Sequence, residues 1–94
     1  MHSESIYKIP GGKLLRISLD YDKKTNTIQR IKINGDFFAY PEESVETLEI
    51  ALRNTPLNQK VLLKKIHSSI TEYHIQFIGL NAEGLTQGIL MCLS

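Results

Sequence analysis

Two short stretches carry residue types that could do chemistry. Pro10-Gly11-Gly12-Lys13 sets two glycines ahead of a lysine. Glycines expose backbone N–H groups and permit positive φ, and Lys13 adds a compact cation, so this turn suits contact with an anion or a partner's backbone. It is not a P-loop, because the Gly-x-x-x-x-Gly-Lys-Ser/Thr spacing is absent. The competing reading is a tight turn with a solvated lysine. Gly35-Asp36-Phe37-Phe38 is the second stretch. A glycine late in a strand pattern marks a bulge or a close backbone approach. Two consecutive aromatics on a strand point to opposite faces, so Phe37 and Phe38 cannot both enter one core. If Phe37 is buried, Phe38 faces outward as an apolar contact for a partner, or lies under the helix that follows.

Other candidates read as structural. His2 falls in an expected frayed terminus, and His67 and His74 carry no carboxylate–histidine metal signature. Cys92 lies on an apolar stripe, where a small buried hydrophobe is the expected role. One cysteine can form neither an internal disulfide nor a Cys-based zinc or iron–sulfur site. There is no Ser/His/Asp set, carboxylate pair or HEXXH sequence. The residues indicate an accessory module rather than an enzyme acting alone, with no catalytic residue and no metal site of its own.

The elements that must position these stretches have two different hydrophobic periods. In residues 1–40, Leu15, Ile17, Leu19 and Tyr21 alternate with Arg16, Ser18 and Asp20, the period of a half-buried strand. A polar connection over 22–26 leads to a second strand, in which Ile31, Ile33, Gly35 and Phe37 alternate with Arg30, Lys32, Asn34 and Asp36. Residues 41–94 read mainly as helices. Pro41 suits a first helical turn, with Glu42, Glu43 and Glu46 at the positive end and Arg53 at the negative end. Val45, Leu48 and Leu52 would form its buried face, and Asn54-Thr55-Pro56 would stop it. Asn58 is expected to cap a second helix with the stripe Leu62, Ile66 and Ile70. Tyr73, Ile75 and Phe77 suggest a short strand within 71–78. Asn81 would cap a last helix with Leu85, Ile89, Cys92 and Leu93 inward. Gly84 and Gly88 there cost about 1 kcal/mol each against Ala and leave a thin face for another element or another protein. The expected fold is a single α+β domain over 1–94, a small antiparallel sheet with helices on one face.

With 94 residues, 41% hydrophobic and 22% charged, the chain is an ordinary small globular domain. It has little room to enclose a substrate. Net charge is +1, divided as +3 over 1–40 and −2 over 41–94, too weak for a nucleic-acid footprint. No apolar run is long enough to span a membrane, and His2-Ser3-Glu4-Ser5 lacks a signal's apolar region. A cytoplasmic location is expected.

Lys8-Ile9-Pro10-Gly11-Gly12-Lys13-Leu14-Leu15-Arg16, followed by Gly35-Asp36-Phe37-Phe38 and Pro41-Glu42-Glu43, resembles the C-terminal accessory domain of lipoate–protein ligases. The likeness continues through Ile78-Gly79-Leu80 into the last helix. It implies a SufE/NifU-like α+β fold and a role as the free-standing small subunit of a bipartite, archaeal-type ligase. In that family, lipoate is first joined to AMP and then passed to a lysine of an acceptor protein. The implied partners are a catalytic subunit, forming a heterodimer, and transiently the lipoyl acceptor domains. ATP, magnesium and lipoate would bind in the complex and not to this chain alone. Gly11, Gly12 and Lys13 would face the nucleotide side of the catalytic subunit, and Asp36, Phe37 and Phe38 would support the interface. Two other readings remain open: a regulatory module dimerising through an exposed sheet edge, and an iron–sulfur or sulfur-transfer scaffold using Cys92.

Overall fold

The computed structural model describes residues 1–93. Strands β1 (His2–Lys8), β2 (Leu14–Asp22) and β3 (Thr27–Gly35) form an antiparallel sheet in the order β1-β2-β3. The period-two pattern of β2 is realised directly, with Leu15, Ile17 and Leu19 buried and Arg16 exposed. In β3, Ile28 and Ile31 are both buried although three residues apart. The register slips between Asp20 and Tyr21, so Gln29 is an extra residue that turns out to solvent. His2 is not frayed. It belongs to β1, opposite Asp20, and its ring bonds the Asp20 carboxylate at 2.7 Å.

The second half supplies β4 (Phe38–Tyr40), α1 (Ser44–Ala51), α2 (Gln59–Glu72), β5 (Gln76–Ile78) and α3 (Ala82–Met91). Helix α3 packs on β1 and β2, α1 packs on β3, and α2 lies against α3 and α1. The helices thus cover one face of the three-stranded sheet. The core joins Leu15, Ile17 and Leu19 to Leu48, Leu52, Leu62, Ile66, Leu85 and Ile89. No helix among the described residues is long and apolar enough to cross a membrane.

Several expected boundaries shift. Helix α1 starts at Ser44, not Pro41. Pro41–Glu43 form a turn in which the Pro41 carbonyl accepts the Ser44 N–H at 2.9 Å, so Glu42 and Glu43 precede the helix. Helix α2 runs on to Glu72, and Tyr73 closes it instead of opening a strand. The caps at Asn58 and Asn81 form as expected, the Asn58 side chain accepting the Lys60 and Val61 N–H groups and the Asn81 side chain the Gly84 N–H. Leu93 is exposed at 37%, so the last stripe ends at Cys92. Nor is the face at Gly84 and Gly88 open. A Cβ on Gly88 would lie 2.7 Å from the Leu15 side chain, and the Gly88 carbonyl accepts the Ser5 hydroxyl at 2.7 Å. The sheet of the same chain fills that space.

The strand expected to run from Ile31 through Phe37 is divided. It leaves the first sheet at Gly35, and β4 pairs instead with β5 in a separate two-stranded ribbon. That break creates the corner where the candidate residues meet.

Candidate functional site

The turn after β1 is closed by its own backbone. Ile9 N–H donates to the Lys13 carbonyl at 3.1 Å, and Gly12 N–H donates to the Ile9 carbonyl at 2.8 Å. Lys13 N–H donates to the Gly79 carbonyl at 3.1 Å, and the Lys8 ammonium caps the Gly12 carbonyl. Two of the three N–H groups at Gly11, Gly12 and Lys13 are therefore spent within the chain. This corrects the expectation that both glycines offer N–H groups to an anion. Gly11 lies exposed at the tip, and the side chain of Lys13 is exposed beside it.

The end of β3 is locked to the same turn. Asp36 N–H donates to the Leu14 carbonyl at 3.0 Å. Gly35 has φ +156°, and a Cβ there would collide with that same carbonyl, so the chain can leave the sheet here only with glycine. Asp36 remains exposed. Phe37 turns inward and meets Phe77 edge to face, with ring centroids 6.0 Å apart.

Phe38 faces outward, as expected if Phe37 is half-buried. In the ribbon, Phe38 pairs with Ile78, Ala39 with Phe77, and Tyr40 with Gln76. Directly opposed residues share a face, so Phe38, Tyr40, Ile78 and Gln76 lie on one side and Ala39 and Phe77 on the other. The outer side is uncovered: Phe38 is 67% exposed, Tyr40 58% and Ile78 52%. Helix α1 does not cover Phe38. Three large apolar side chains on one small face are unusual for a surface without a partner.

The two stretches are joined through Gly79, which follows Ile78 and bonds Lys13. Beside the turn, a groove of about 450 Å³ runs between Tyr7, Ile9, Pro10, Leu63, Asn81 and Thr86. Cys92 lies apart from this corner, 3% exposed, and burial pushes its thiol pKa up. A buried thiol that resists ionisation is a poor metal ligand or sulfur carrier, which weighs against the scaffold reading.

The family model described as the bacterial lipoate protein ligase C-terminus matches residues 7–87. The chain belongs to this family. The matched span contains the glycine–lysine turn, the strand end and Gly79. A curated relative, lipoate-protein ligase A subunit 2 of Thermoplasma acidophilum, is 34% identical over 79 residues, covering 81% of this chain and 76% of that protein. A solved chain from the same organism superposes with a TM-score of 0.76 at 30% identity, covering 95% of this chain and 94% of the other. It comes from a structural analysis of an archaeal lipoylation system, a bipartite lipoate protein ligase and its E2 lipoyl domain.

In this lipoate ligase C-terminal domain, sequence reasoning missed Tyr40, Ile78 and Gly79 as parts of the corner. Tyr40 and Ile78 become neighbours of Phe38 only through the β4–β5 pairing. The available signal was period two, since Tyr40 stands two residues after Phe38 and Ile78 one before a glycine.

Proposed function

We propose that this chain is the small, non-catalytic subunit of a two-chain lipoate–protein ligase. It is required with a separate catalytic subunit for ATP-dependent conversion of lipoate to lipoyl-AMP. The observation that carries this reading is the convergence of an exposed lysine turn and an uncovered apolar face on one corner of a lipoate ligase C-terminal domain. In the activation step, a lipoate carboxylate oxygen forms a bond to the α-phosphorus of ATP and pyrophosphate leaves. The amine of an acceptor lysine then takes the acyl group and AMP leaves. Both activation reactants are anionic, so the step needs a positively lined, water-poor site that holds them in line.

Lys13 supplies an ammonium at the nucleotide-side mouth of the catalytic subunit, and Gly11 and Gly12 let the turn approach closely. Phe38, with Tyr40 and Ile78, docks against that subunit. Phe37 supports them from behind through Phe77, and Asp36 sits at the junction. ATP, magnesium and lipoate bind in the heterodimer, in the cytoplasm. Opening of the small subunit then admits the lipoyl acceptor domain, a common use of a moving element.

The test compares adenylate formation by the catalytic subunit with and without this chain, alongside transfer from preformed lipoyl-AMP. Loss of the first reaction with retention of the second is the expected result. Full activation without this chain overturns the reading. Unchanged turnover of Lys13→Ala at limiting ATP removes Lys13 from the site. Of the two edges of the three-stranded sheet, β3 is the less suited to dimerisation, because its edge groups are partly taken within the chain. Ile33 N–H donates to the Glu49 carboxylate at 2.7 Å, and Ile28 N–H donates to the Thr55 carbonyl at 3.0 Å.

A further inference from the structure

We infer that Gly79 is the positioning residue for Lys13, holding it by a backbone hydrogen bond and by the space its missing side chain leaves, and that it ties this seat to the docking ribbon. The role of Lys13 in activation rests on the function proposed above, whereas the seat itself is a property of this chain. Three observations carry the inference. The Gly79 carbonyl accepts the Lys13 N–H at 3.1 Å, which fixes the lysine's backbone. A Cβ on Gly79 would lie 2.6 Å from Lys13 Cγ and 3.4 Å from its Cβ, so the lysine stem lies across the position a side chain would take. Gly79 has φ +87°, a backbone conformation that residues with a side chain rarely adopt.

The other flank of Gly79 faces the ribbon. The same added Cβ would lie 3.7 Å from Phe37 Cα, and Ile78, the preceding residue, belongs to the exposed apolar face. Ile78 of the ribbon is thereby one peptide unit from the carbonyl that holds the Lys13 N–H. A glycine serving only a turn would affect folding and nothing else.

The test uses Gly79→Asn, Gly79→Ala and Lys13→Met. Asparagine tolerates positive φ, so it separates backbone strain from collision with the stem. In the free chain, NMR of the Lys13 side chain and amide exchange are expected to show a disordered stem and faster exchange in Gly79→Asn. An unchanged Lys13 in both Gly79 variants overturns the inference, whatever the turnover. In the two-chain complex, Gly79→Asn is expected to lower kcat/KM for ATP on the order of tenfold. The affinity between subunits should change far less. Combined with Lys13→Met, it should add little further loss. An equal loss with and without the Lys13 ammonium overturns the inference, because Gly79 would then act independently of Lys13. A disordered Lys13 with unchanged turnover instead overturns the reading of Lys13 as a nucleotide contact.

Discussion

Helix α3 and the corner at Gly79 both use glycines to bring chain segments close, with opposite results. At Gly88 the space is taken by Leu15 from the core face of β2, and Ser5 closes it from β1. Gly88 and the Leu15 and Ile17 side chains that approach it are buried, and the gain is helix-to-sheet packing. At Gly79 the space is taken by the stem of an exposed lysine, beside an apolar face that nothing in the chain covers. The same residue type serves stability in one place and presentation in the other. Its surroundings decide which, and a count of glycines does not.

The comparison breaks most easily by truncating one side chain in each region. Leu85 on α3 is fully buried, and Leu85→Ala is expected to cost about 2–5 kcal/mol of stability through lost burial and a residual cavity. Urea denaturation of the isolated chain measures it, and a loss under about 1 kcal/mol would mean that α3 is not part of the core. Phe38→Ala should do the reverse. Its side chain is mostly exposed, so stability should stay within about 0.5 kcal/mol. Affinity for the catalytic subunit should fall by about 2 kcal/mol, roughly thirtyfold, as for an aromatic interface anchor. Titration calorimetry gives the second number. A large stability loss with unchanged affinity would make Phe38 a packing residue after all.

The difference between the regions also explains what was legible before folding. The core region is local: alternation in β2, the stripe Leu62–Ile66 in α2 and the caps Asn58 and Asn81 are all short-range signals, and each formed. The α+β class and the helix-covered sheet follow from them. The corner depends on contacts between residues far apart in sequence. The alternation of Ile31 through Phe37 runs on across the break. Gly35 alone marks a close backbone approach there, and the segment that approaches is the Leu14 carbonyl, far away in sequence. The strand expected within 71–78 does form, as β5 over Gln76–Ile78, but it starts late because Tyr73 caps α2 and His74 turns the chain at positive φ. The turn and the strand end were visible as motifs. Their junction at Gly79 was not, since it needs β5 to be placed first.

Asn81→Ala tests how separate the two regions are. The Asn81 side chain accepts the Gly84 N–H at 2.6 Å, and losing this cap should cost about 1 kcal/mol. Asn81 stands two residues after Gly79, so the variant loosens α3 next to the corner. If the seat of Lys13 is set by Gly79 alone, amide exchange at Lys13 will match the parent protein relative to global stability. Faster exchange confined to Lys13 would show that the cap also supports the corner.

The smallest expected effect lies on the exposed sheet face, at the far end of β1. Asp20 accepts a hydrogen bond from the His2 ring at 2.7 Å, with Glu4 at 3.3 Å, and these bonds raise the His2 pKa above 6.5. A raised pKa means that the folded state holds the proton more tightly than the unfolded one. The stabilisation is therefore fully present below pH 6.5 and fades as pH rises through the folded-state value. An NMR titration should place the His2 midpoint above 6.5, and Asp20→Asn should lower it. A midpoint at or below 6.5 in the parent protein would mean that the contact to Asp20 does not persist in solution. Six residue steps along β1 put His2 about 20 Å from Lys8 and the glycine turn. That is well beyond the screening length of about 8 Å at physiological salt. Affinity for the catalytic subunit at pH 6 and pH 8 should therefore be the same for His2→Ala as for the parent protein. A pH dependence of docking that vanishes in His2→Ala would extend the interface from the apolar ribbon onto the charged sheet face, and the division between a presenting corner and a self-contained sheet would fail.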